Sequence, residues 1–178
     1  MVKRSAVDEG RLSLEQVYEA ARSVLEEHWG KNSPVNLKRL AKRMGIVLEF
    51  APFKDQLSGI SFIDDGKSYI GVNSLHSTNR QRFTIAHEIG HHVLHQELLK
   101  SGTHVDTVIL RRDHLSAEGI DRKEIEANAF ASELLVPRFL LESRISDDTD
   151  MQDEELVRKL ANELQISSTA LHFRLARA

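Results

Sequence analysis

The stretch RQRFTIAHEIGHHVLH constrains this chain more than any other part of it. Phe83, Ala86, Gly90, Val93 and Leu94 recur at the spacing of one helical face, which predicts a helix with a buried stripe. Beside that stripe stand His87, Glu88 and His91 in the spacing HExxH. On a helix, positions i and i+4 lie on one face about a turn apart, so both imidazoles reach one metal ion with Glu88 next to them. Thr78 and Gln81 fit a capping box at the start of this helix. Gly90 lowers helix propensity in its middle, which predicts that another element packs closely there.

The rest of the chain supplies the elements such a helix needs. Ser13 precedes LEQVYEAARSVLEEHWG, with Leu14, Val17, Ala21, Val24 and Leu25 at helical spacing and Gly30 as a stop. A second helix follows Ser33 and Pro34 and ends before Gly45. Its four basic residues, Lys38, Arg39, Lys42 and Arg43, read as a solvated face, since no aromatic stacking residue is interleaved with them. The period then changes to two: Ile46 to Phe50 alternates, and GISFI and SYIGV flank an Asp-Gly turn at Asp65 and Gly66. No later strand of comparable quality follows. Residues 96–121 form a long connection containing a short extended piece, VDTVIL. From Lys123 the chain reads as helices, broken at Pro137, at the acidic loop DDTDMQDEE and at a turn near Ile166 to Ser168. Helices, a small antiparallel hairpin sheet, then helices make an α+β fold. Its expected divisions are a flexible N-terminus over 1–12, a domain over 13–145 and a helix-turn-helix-like appendage over 146–178.

Composition removes several classes of function. Among 178 residues there is no cysteine, which excludes thiolate catalysis, disulfides, iron–sulfur clusters and cysteine-ligated zinc. Any metal therefore sits on His, Asp or Glu, and nine histidines are present. The net charge of −3 supplies no whole-domain basic footprint for nucleic acid. The polar first dozen residues read as neither signal peptide nor anchor, and no run approaches a membrane span, so a cytoplasmic protein is expected.

Two histidines need a further ligand. His95 continues the series but lies about 12 Å along the helix from His87, too far to share an ion with bonds of about 2 Å. His92 points off the ligand face, and both read as supporting or surface residues. The better source is KEIEANAFASELLVP, whose buried stripe is Ala127, Phe130, Ala131, Leu134 and Leu135. Glu124 and Asn128 share one flank of it, where a carboxylate completes a two-His, one-Glu site and the amide orients a ligand histidine. Glu126, on the opposite edge, is the rival, and Glu133 a weaker one. With three protein ligands a bound water is acidified, and Glu88 takes its proton during attack on a peptide carbonyl and passes it to the leaving amine. Tyr69, His92, His95 and His104 are candidates to stabilise the oxyanion, although a structural role suffices for each alone. The donor set does not separate Zn²⁺ from Mn²⁺ or Co²⁺.

RQRFTIAHEIGHHVLH and EIEANAFASELLVP, with Ile70 to Asn73 before them, resemble the signature segments of the ImmA/IrrE family of metallo-endopeptidases over roughly residues 35–145. The resemblance implies a zincin-like fold and a zinc peptidase of the gluzincin type. It places Glu124 as the glutamate of an ExxxN segment and Asn128 where Asp or Asn is common. Val136 and Pro137 stand where Met and Pro are usual, which touches no chemistry. It further implies a protein substrate, a helix-turn-helix (Xre-like) repressor or antitoxin. The alternative is a DNA- or protein-binding regulator acting through LVRKLANELQISSTALHFRLARA, with a latent or structural metal. That segment has few outward basic residues, so a helical pair packed on the core or holding a protein partner fits it better. For selectivity, strand Ser68 to Val72 is expected to pair with an extended substrate by strand addition, and the C-terminal helices to dock the partner.

Overall fold

The computed structural model describes residues 12–54, 56–107, 118–144 and 153–176. Residues 1–11 of the expected flexible N-terminus and most of the acidic loop fall outside them. Helix α1 (Leu14–His28) begins where Ser13 and Gln16 exchange bonds in a capping box, and α2 (Leu37–Arg43) begins where the Asn36 side chain accepts from Arg39 N. Strands β1 (Ile46–Ala51), β2 (Leu57–Asp64) and β3 (Lys67–Asn73) follow. The β2–β3 turn has positive φ at both Asp65 (45°) and Gly66 (73°), the geometry an Asp-Gly pair accepts.

The sheet is mixed, not antiparallel as expected. Its order is β1-β3-β2-β4, where β4 (His104–Thr107) is a short strand on the outer edge of β2. β1 runs parallel to β3, whereas β2 is antiparallel to both its neighbours. Between β1 and β2 the chain passes over the end of β3, and buried Asn73 pins that crossing. Its Oδ1 accepts from Phe53 N (3.2 Å) and Leu75 N (3.1 Å), and its Nδ2 donates to Leu57 O (2.8 Å). Alternating apolar residues identify a strand but not its partner, so the parallel pairing was not readable from β1 itself. Because β3 is paired on both sides, Ser68 to Val72 has no edge to offer, and the expected strand addition there is excluded. β4 overlaps the expected extended piece VDTVIL at Val105 to Thr107, and the remainder of that piece lies outside the described residues.

Helix α3 (Thr78–Leu94) lies on this sheet. Its N-cap is Ser77 without a side-chain bond, and Gln81 reaches back to Ser74 O (3.1 Å) and His76 O (2.7 Å) instead of closing the expected box with Thr78. The connection after it carries α4 (Gln96–Ser101) before β4. Helix α5 (Glu118–Leu135) packs on both α1 and α3, followed by α6 (Arg138–Arg144), α7 (Glu154–Leu164) and α8 (Ser168–Leu175). One apolar core runs through Val17, Leu40, Ile70, Ile85, Phe130 and Leu134, and Leu160, Leu164 and Leu171 of the last two helices belong to it. Arg174 of α8 is buried against α5, bonded to Glu133 and to Val136 O (2.9 Å). Among the described residues, no helix is long and apolar enough to cross a membrane.

The close packing predicted at Gly90 is present. A Cβ there would stand 3.3 Å from both Cα and O of Ala127 and 3.2 Å from the Phe130 ring, so α3 and α5 meet nearly backbone to backbone. Gly90→Val places three carbons in that contact. It should destabilise the fold by about 2 kcal/mol, the scale of an overpacked core, read as a lower urea midpoint at unchanged slope.

Candidate metal centre

Helix α3 presents His87 and His91 one turn apart, and the Gly90 contact brings α5 close enough for Glu124 to meet them. His87 Nε2 lies 3.1 Å from His91 Nε2, and the Glu124 carboxylate lies 3.2 Å from the first and 3.3 Å from the second. A fourth group, His104 from β4, places its Nε2 3.3 Å from Glu124 Oε1. One donor atom from each of the four lies within 4.8 Å of the others, close enough to hold a metal ion together. His87 and His91 are buried, and Glu124 is largely so.

The far sides of the rings determine what the near sides offer. Asn128 Oδ1 stands 3.2 Å from His87 Nδ1, so that nitrogen carries the proton and Nε2 keeps its lone pair. His91 Nδ1 faces His95 Nδ1 at 3.1 Å, while His95 Nε2 donates to Glu126 at 2.9 Å. With its proton committed to Glu126, His95 accepts at Nδ1, so His91 donates there and its Nε2 is also a lone pair. Arg122 holds the other oxygen of Glu126 at 2.7 Å. Two imidazole lone pairs and a carboxylate thus converge, an arrangement that is favourable only around a proton or a cation. Donors bound at 2.0–2.1 Å in a tetrahedron stand about 3.3–3.4 Å apart, close to the spacings among His87, His91 and Glu124. The residues fit a zinc-sized divalent ion.

Electrostatics agree with this geometry. Burial pushes Glu124 up, but the imidazoles of His104, His87 and His91 outweigh it and hold the carboxyl well below its usual range. Burial pushes His91 down to about 3, only partly opposed by Glu124, so its ring is neutral and free to coordinate. For His104 burial also acts downward, yet Glu124 and Glu88 prevail and raise it.

Glu88 is fully buried beside the cluster and accepts a bond from the Ser61 hydroxyl of β2. A Cβ at Gly59 would stand 2.9 Å from Glu88 Oε1, so the missing side chain leaves room for that carboxylate. Of the expected site residues, His87, His91 and Glu124 are thus brought together, Asn128 backs His87, and Glu88 lies alongside. Glu126 is not at the cluster and instead holds His95; Glu133 faces Arg174 and the Arg138 N–H. His92 is buried and bonds Tyr69 O (3.2 Å), tying α3 to β3. Sequence reasoning missed Gly59, Ser61 and the place of His104 in the cluster. The sequence offers His104 as a candidate for stabilising the oxyanion, not as a member of the donor cluster. Beside the centre a cavity of about 490 Å³ is walled by Phe83, Thr84, Asn128, Ala170 and Phe173, drawn from α3, α5 and α8.

Comparison with known proteins bears on this arrangement. The family described as IrrE N-terminal-like domain (Peptidase_M78) matches residues 41–176. "Uncharacterized immunity region protein 2" of Bacillus phage phi105 is 27% identical over 109 residues, covering 61% of this chain and 63% of that protein. A solved structure, a Mycobacterium tuberculosis transcriptional regulator, superposes with a TM-score of 0.59 at 19% identity. It covers 91% of this chain but 46% of that one. This chain therefore spans less than two thirds of the phage relative and under half of the regulator, and the latter likeness concerns the fold alone.

The protonation pattern predicts that the metal-free protein loses stability between pH 7.5 and 5.5. Unfolded imidazole takes up a proton near pH ~6.5, whereas folded His91 does so only at about 3. Its contribution is thus complete above pH ~6.5 and declines toward pH ~3, by at most about 1.4 kcal/mol per pH unit. Burial acts in the same direction on His92 and His95, and the raised His104 opposes them. Urea midpoints at the two pH values measure the net fall.

Proposed function

We propose that this chain, which belongs to the IrrE N-terminal-like domain family, is a metal-dependent endopeptidase of zincin-like, gluzincin type. The observation that carries the reading is the convergence of His87 Nε2, His91 Nε2 and the Glu124 carboxylate beside buried Glu88. His87, His91 and Glu124 would hold zinc, with Mn²⁺ or Co²⁺ as substitutes in vitro. The bound ion would supply Lewis acidity, polarising a peptide carbonyl and acidifying water. The remaining work falls to the chain. Asn128 and His95 keep the two ring nitrogens turned inward, and Ser61 orients the Glu88 carboxylate. Glu88 accepts the proton of the attacking water and delivers it to the departing amine.

For the substrate we infer a protein partner of the helix-turn-helix repressor or antitoxin class, in keeping with a phage relative named for an immunity region. The cavity supports a part for the C-terminal helices in recognition, since Ala170 and Phe173 wall it beside Asn128. The rival reading, a DNA-binding C-terminal pair, loses support because Arg174 is turned inward onto Glu133.

Two outcomes test the proposal. The purified chain should hold about one zinc per molecule, and His87→Ala, His91→Ala and Glu124→Ala should each lose most of it by elemental analysis. Retention by both histidine variants overturns the reading. Glu88→Gln should keep both metal and fold while cleavage of the partner falls by about 10²–10⁴. A wild-type rate would leave Glu88 without its role.

A further inference from the structure

His104 has no part in the three-ligand site just proposed, yet its Nε2 is 3.3 Å from Glu124 and its ring centroid 4.1 Å from that of His91. It arrives there through the sheet. In the β2–β4 ladder His104 is paired with Ser61. Directly opposed residues of antiparallel strands project to the same face, so the residue that bonds Glu88 and the one that approaches Glu124 stand side by side. We propose that His104 is a fourth protein ligand that closes the metal site, held in place by the pairing of β4 with β2. This rests on the peptidase reading above and concerns the regulation of the same centre.

A closed set of four protein ligands characterises structural sites, whereas hydrolytic sites keep one position open. With His104 in place the chain is latent. The same strand covers the outer edge of β2, and β2 carries Gly59 and Ser61 against Glu88. An extended protein segment could align beside Glu88 by pairing with that edge, which becomes free only when β4 leaves. One displacement therefore opens both the coordination position and the strand that would receive the substrate. The latch is weak by construction: four residue pairs, an irregular register between Leu57 and Gly59, and an exposed Val105 on the outer strand. A partner segment that pairs better with β2 replaces β4, so substrate binding itself opens the site.

The test uses the whole chain loaded with zinc or cobalt. X-ray absorption of the wild-type zinc protein should count three imidazoles, and His104→Ala should count two. Acetohydroxamate, which needs an open coordination position, should bind cobalt-loaded His104→Ala at least tenfold tighter than wild type. Added imidazole should restore the wild-type visible spectrum. His104→Gln serves the same purpose should the alanine variant fold poorly, because glutamine still donates to Glu124 but is a poor ligand. Two imidazoles in the wild type, or equal acetohydroxamate affinity in both proteins, overturns the closure. So does His104→Ala that retains metal but cuts the partner more slowly, which would make His104 a group acting on the substrate. A wild-type chain that binds no metal defeats the peptidase reading instead, so the two failures are distinguishable.

Discussion

The contact between Gly90 and Ala127 governs the geometry of this protein. Helices ordinarily pack with axes about 8–10 Å apart, at a distance set by the side chains between them. Here one of those side chains is absent, and the backbone of α5 comes to within van der Waals reach of α3. Gly90 is one residue from His91, and Ala127 is one helical turn from Glu124, so the approach acts almost at the donors themselves. Widening it would separate the carboxylate from the two imidazoles before it disturbed any other part of the core.

Closeness alone would not make a ligand set. The two histidines are steered by chemically different partners, a neutral carboxamide behind His87 and a second histidine behind His91 that leads to the Arg122–Glu126 pair. The result is the same at the near side, but the sensitivities differ. The electron density on His91 answers to a charged network that reaches the N-terminal segment, since Arg122 also bonds Leu12 O. Behind His87 stands the uncharged amide of Asn128.

Much of this was visible in local chemistry. Ser13 ahead of an apolar helical period, Asp65 with Gly66 and the HExxH spacing each impose their structure within a few residues, so α1, the hairpin and the histidine pair could be read directly. The choice of Glu124 over Glu126 could be narrowed because a helix has only two flanks, but periodicity could not decide between them; the packing of α5 puts Glu124 beside the two imidazoles and Glu126 against His95. What stayed hidden depends on contacts distant in sequence. Asn73 closes the crossing that makes the sheet mixed, and nothing around it distinguishes it from a turn residue. His104 reaches the cluster through the pairing of β4 with β2, and the extended character of VDTVIL names no partner for that strand. Gly59 and Ser61 looked like ordinary small residues of a strand until Glu88 was found opposite them.

The burial of Arg174 against Glu133 has a consequence for how the molecule is made. During synthesis α3 and α5 leave the ribosome well before α8, so the elements carrying His87, His91 and Glu124 exist while Glu133 faces Arg22 at 3.8 Å and the Arg138 N–H but not yet the closer guanidinium of Arg174. A buried carboxylate without that partner favours an unsettled helix, and α5 is the helix that carries Glu124. The last segment to be made is thus the one that completes the charge balance of the helix supplying Glu124, so the order of translation and the order of assembly run in the same direction.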